Sequence, residues 1–164
     1  MASNAQSPQD YFRMILLTVV GQAYTAAGYE LEDLPIKWAG GRFRFIKPLE
    51  DDDLFGIIEY QLLAYSDTEW SSGMPSRFKV TLIRADNDTG LKSSHKKYVM
   101  RDLSALVVED FGIDILPSAK HWWTFRTQDE LGKALAEAGH LTIGYGMPWL
   151  AGELAPDDKK GDGQ

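Results

Sequence analysis

Two groups of side chains in this sequence are of types that bind ligands or partners. The first is His121-Trp122-Trp123, with Trp38, Trp70 and Trp149 elsewhere in the chain. An indole offers a flat apolar face and one N–H donor, which suits stacking on sugars or bases and equally suits anchoring a protein interface. In a small α+β domain the same rings also fill the seam between sheet and helices. The second group is Arg42, Arg44, Glu59 and Gln61. Arg42 and Arg44 share one face of an alternating run, and Glu59 and Gln61 interrupt one face of an apolar run. If the two runs pair, Glu59 meets an arginine across the sheet. A carboxylate, an amide and guanidinium groups then either orient a polar ligand or form a cross-strand salt bridge on an exposed face.

Other chemistries are excluded by what the residues lack. Without cysteine there are no disulfides, thiolate nucleophiles or Cys-rich zinc sites. His95, His121 and His140 lie far apart, with none of the spacing of a zinc site. Asp51 to Asp53 are consecutive in a turn, so their carboxylates diverge and a solvated turn is the expected reading. Asp86-Asn87-Asp88-Thr89-Gly90 brushes a calcium-loop pattern, but the third acidic ligand is missing and Lys97 stands where a bidentate Glu is required. No Gly-x-Ser-x-Gly elbow, phosphate loop or dinucleotide fingerprint is present, and Gly144-Tyr145-Gly146 is too short to serve as one. Neither a cofactor nor a metal is expected.

A net charge of −7 opposes binding to phosphate backbones, so nucleic acid is not an expected partner. Lys92 to Lys97 reads as a solvated basic loop. The segment from Met1 to Asp10 is polar, and the apolar run Met14 to Val20 is too short for a membrane span or a secretory signal. A cytoplasmic location is expected, and the sequon Asn87-Asp88-Thr89 carries no meaning there.

The elements that must position these residues follow from periodicity. Ser7, Pro8 and Asp10 form a helix start, and Phe12, Ile15, Leu16, Val19, Val20, Ala23 and Ala27 make one apolar stripe ending at Gly28. A helix over 8–27 is predicted. Arg42-Phe43-Arg44-Phe45 alternates as a half-buried strand stopped by Pro48; residues 54–65 read as a central strand, and 77–84 alternate again. Residues 85–97 read as a loop excursion. A second helix is expected over 99–110, a short extended piece over Ile113 to Leu116, and an edge strand over Trp122 to Phe125. Thr127 and Glu130 form a capping box for a third helix ending at Gly139, with Leu141 to Leu154 irregular.

The expected fold is therefore α+β: an antiparallel meander of three or four strands packed by two or three helices in a single two-layer domain. It spans 8–155, between a flexible start at 1–7 and a polar, disordered tail at 156–164. If 121–125 is extended, Trp122 and Trp123 must point to opposite sides, one into the core and one to the entrance of a functional surface.

The order Ala27-Gly28-Tyr29, Gly41-Arg42-Phe43-Arg44-Phe45, Phe78 to Leu82, His121-Trp122-Trp123 and Pro148-Trp149-Leu150 resembles certain small bacterial α+β domains of unknown function, over roughly residues 10–152. The resemblance implies a bacterial domain and carries over no active-site residue. The function expected is noncatalytic binding of another protein, as a regulator, an immunity-type inhibitor or an accessory subunit, with a homo-oligomer as one form of that. The alternative is a small-molecule or carbohydrate-binding domain, or a hydrolase, with a tryptophan-lined pocket completed by Glu59, Gln61 and the arginines.

Overall fold

Ser7 starts the first helix as its sequence predicts: extended at φ −69°, it accepts a hydrogen bond from the Asp10 amide at 3.0 Å, and Pro8 fills the first turn. The computed structural model describes residues 6–50, 53–65 and 74–156. Most of the expected flexible start and polar tail, Asp51 and Asp52 of the acidic turn, and residues 66–73 with Trp70 lie outside these. Helix α1 (Pro8–Leu16) continues through a π turn (Leu17–Gly21) into α2 (Gln22–Ala26), and Gly28 closes it at φ 95°. The π turn adds a residue to the repeat. Val20 and Tyr24 therefore face the core, while Val19 and Ala23, expected there, face out.

After β1 (Glu30–Leu31), Pro35 opens a short helix α3 (Pro35–Ala39). The meander follows as β2 (Arg42–Pro48), β3 (Phe55–Leu63) and β4 (Ser76–Ala85), antiparallel and adjacent in that order. β1 extends it beyond β2. On the other side β5 (Val99–Asp102) and β6 (Trp123–Phe125) both pair with β4, completing a six-stranded sheet. Phe43, Phe45, Ile58, Tyr60, Leu62, Phe78, Val80 and Leu82 form its buried inner face, covered by the first helix and by α5 (Gln128–Leu141). Gly41, at φ 85°, is required at the head of β2 because a Cβ there would run into the Leu62 carbonyl.

Three expectations are corrected. Residues 99–102 form β5 rather than a helix start, because pairing with Thr81–Arg84 satisfies their backbone; helix occupies only α4 (Leu103–Ala105) and a π turn (Leu106–Asp110). Ile113 to Leu116 makes turns and pairs with no strand among the described residues. Gly139 does not end the third helix. It sits inside α5 because Val20 packs so closely that a Cβ would lie 2.9 Å from Val20 Cγ1. Helix then continues through a π turn (Thr142–Gly146) into α6 (Met147–Leu150), with Pro148 in its first turn, where an absent N–H is tolerated. Residues 86–98 form a loop, as expected. They lie over Ile57, Ile83 and Ala85, which form a small second cluster with Ile46 and Tyr98.

The capping box also departs in detail. Thr127 accepts from the Glu130 amide at 3.1 Å, whereas the Glu130 carboxylate reaches one residue further back and accepts from the Arg126 amide at 2.7 Å. No helix of the described residues is long and apolar enough to cross a membrane.

Candidate functional site

Alternation along the strands fixes a second face. With the aromatics of β2, β3 and β4 turned inward, Arg42, Arg44, Glu59, Gln61, Arg77, Lys79 and Thr81 point outward, and antiparallel register sets them in cross-strand rows. One row runs Arg42, Gln61, Lys79; the next runs Arg44, Glu59, Thr81, Asp102. The Glu32 amide donates to the Arg44 carbonyl at 2.8 Å, which adds Glu32 to the far end of the second row. At the other edge Trp123 pairs with Phe78, so Trp122 falls beside Lys79 on the outer face.

The expected contact between Glu59 and an arginine exists, but diagonally. Glu59 faces Arg44 in register, yet its ion pair is with Arg42, at 3.6 Å. Lys79 approaches Asp102 at 3.9 Å, and the Thr81 hydroxyl donates to the same carboxylate at 3.1 Å. Arg44 is 5% exposed and its Nε has no hydrogen-bond partner, with Gly90 of the covering loop directly against its guanidinium. Burial raises the Glu32 carboxyl above its ordinary range, against the opposing pull of Arg44 and Lys37. Arg44 therefore belongs to the outer face by register but is closed off from it by residues 86–98.

The tryptophan pair divides as alternation requires. Trp123 is 4% exposed, stacks on Phe78 with centroids 5.5 Å apart, and donates its indole N–H to Glu137 at 2.7 Å. Trp122 is half-buried on the opposite side, with the Arg77 guanidinium 4.6 Å and the Lys79 ammonium 5.5 Å from its ring centroid. His121 goes with Trp123: its ring meets that indole edge-on at 4.7 Å and its amide donates to the Ser104 hydroxyl at 3.2 Å. Burial lowers the His121 pKa, with Glu137 pulling the other way.

Of the residues singled out in the sequence, the fold thus brings Arg42, Glu59, Gln61 and Trp122 together on one open face. It covers Arg44 on that face and turns His121 and Trp123 inward. Arg77, Lys79 and Thr124 complete the face and were missed, although the alternation of Arg77 and Lys79 with Phe78 and Val80 contains the signal. A cavity of about 500 Å³ lies elsewhere, lined by Lys47, Leu54, Arg84, Lys97 and Leu150 among others; none of Trp38, Trp122, Trp123 and Trp149 lines it. Among the described residues no three His, Asp or Glu side chains come together in a way that could hold a metal ion.

No family model matches the chain, and neither the curated proteins nor the solved structures contain a match.

Proposed function

We propose that this chain is a noncatalytic cytoplasmic protein-binding domain, a regulator, immunity-type inhibitor or accessory subunit, and that it meets its partner through the outer sheet face around Trp122. The observation that carries this reading is the placement of Trp122 on the side of β6 away from the core, under two cations. A water-facing strand position is satisfied by a small β-former, as the next outward position on the same strand, Thr124, illustrates. An indole there leaves apolar area for a second molecule to cover, and Trp and Arg are the types that dominate the centres of such contacts. Two carboxylates of the face, Glu59 and Asp102, are paired with Arg42 and Lys79 rather than grouped around a nucleophile.

The test uses the full chain as bait in a lysate of cells that express it, alongside Trp122→Ala and, as a control on the helical side, His140→Ala. One protein retained in stoichiometric amount by wild type and His140→Ala, and lost by Trp122→Ala with unfolding unchanged, supports the reading. Retention by Trp122→Ala would move the interface elsewhere. Quenching of Trp122 fluorescence by oligosaccharides, with no protein retained, would favour the carbohydrate platform instead.

A further inference from the structure

Resting on that reading of the outer face, we propose that the partner presents an extended acidic segment along β4, with alternate carboxylates taken by Arg77 and Lys79 beside Trp122. The chain as a whole carries a charge of −7, so a cationic stretch on one face runs against its composition. Three cations lie there, and their compensation is graded. Arg42 has Glu59 at 3.6 Å, Lys79 has Asp102 only at 3.9 Å, and Arg77 has no carboxylate within ion-pair distance among the described residues.

Arg77 is also held for recognition by its stack on Trp122. Its guanidinium lies over the Trp122 ring and its Nε is buried without an acceptor, while its Nη atoms are not among the buried unpartnered groups. A guanidinium stacked on an indole has already lost much of its rotamer freedom, so a carboxylate that pairs with its fork gains a charge-assisted bond at reduced entropic cost. Lys79 stands two residues on along the same strand face, roughly 7 Å away at the usual strand rise. Side chains at alternate positions of another extended segment repeat at that same interval, which matches carboxylates at i and i+2 to Arg77 and Lys79. Trp122 then covers the apolar stems of those side chains. A nucleic-acid strand would bring a denser array of negative charge against a chain already negative overall, which disfavours it at long range.

The experiment is an NMR titration of the full ¹⁵N-labelled chain with an acetylated peptide of alternating Glu and Thr, the same peptide with Gln for Glu, and oligothymidylate. The expected result is saturable movement of the Trp122 indole N–H with the Glu peptide only, an affinity loss of about fivefold or more from low to moderate salt, and a loss of about tenfold in Arg77→Gln. Arg77→Lys should recover only part of that loss, since it restores charge without the planar fork. Lys79→Gln, which leaves the Trp122–Arg77 stack in place, serves if Arg77→Gln does not fold. A Glu peptide that leaves Trp122 unmoved overturns the inference; if Trp122→Ala still releases the lysate partner, the interface reading survives it, and if neither holds, both fail. Tighter binding of oligothymidylate at Trp122 overturns the acidic-segment inference in favour of nucleic acid.

Discussion

Trp122 and Trp123 are consecutive in sequence and opposite in circumstance. Trp123 has Phe78 against its face, His121 at its edge and Glu137 on its N–H, so each part of the indole has a partner supplied by the chain itself. Trp122 has two cations against its ring and solvent access besides. The same side chain is structural in one position and available in the next because a strand reverses direction at every residue and the helical layer covers only one side of the sheet. The contrast extends along the neighbouring strand: Phe78 and Val80 are buried while Arg77, Lys79 and Thr81 remain partly open.

The largest effect should come from the inner ring. Trp123→Ala removes the stack on Phe78 and leaves the Glu137 carboxylate without its donor, and is expected to cost about 3–5 kcal/mol in denaturant unfolding; a loss below about 1 kcal/mol would erase the distinction between the faces. A smaller effect belongs to the phenol pair deeper on the inner face, where Tyr24 and Tyr60 share a hydrogen bond of 2.7 Å. Burial pushes the Tyr24 pKa from 10.0 up to about 12, against the lowering effect of Thr142 and Tyr60 beside it, and burial also raises Tyr60. Both groups have folded pKa values above their unfolded ones. The Tyr24 contribution to stability is therefore complete below pH 10 and is lost as pH rises from there through about 12, and the Tyr60 contribution is likewise lost at alkaline pH. Tyr60→Phe should cost about 1 kcal/mol at neutral pH and flatten the alkaline fall of the unfolding midpoint; an unchanged alkaline slope would contradict this account. The smallest effect should be that of Trp122→Ala, where only the stacking of Arg77 and Lys79 is lost, under about 1 kcal/mol by the same measurement. A loss as large as that of Trp123→Ala would return Trp122 to a purely structural role.

Much of the fold was legible because its signals are local. Ser7 and Pro8 mark the first helix, Thr127 marks α5, and the alternating runs around Phe43 and Phe78 fix both the strands and their inward faces. What escaped was set by neighbours distant in sequence. Val99 to Asp102 reads as helix until the free edge of β4 recruits it, and Gly139 reads as a terminator until Val20 is seen to need the space. The π turns leave no plain mark in composition, yet one of them decides whether Val19 or Val20 enters the core. For the site, Arg42, Glu59, Gln61 and Trp122 could be chosen from residue type and strand alternation. The burial of Arg44 could not, because it depends on a loop some forty-odd residues later folding back so that Gly90 rests on the guanidinium.

The covering of the inner face also has an order in time. A ribosome delivers the first helix, then β1 to β5, and only afterwards β6 and α5, which bring Trp123 onto Phe78 and Glu137 onto Trp123. From the synthesis of β4 until α5 is made, the surface around Phe78 and Leu82 lacks its final cover, and exposed apolar strand surface of that kind is what chaperones bind and what aggregates. A chain ending at residue 126 should accordingly be far more sensitive to protease than one ending at 156. Equal resistance of the two would show that the late helix adds little to closure, so that the vulnerable interval would end before α5 is made.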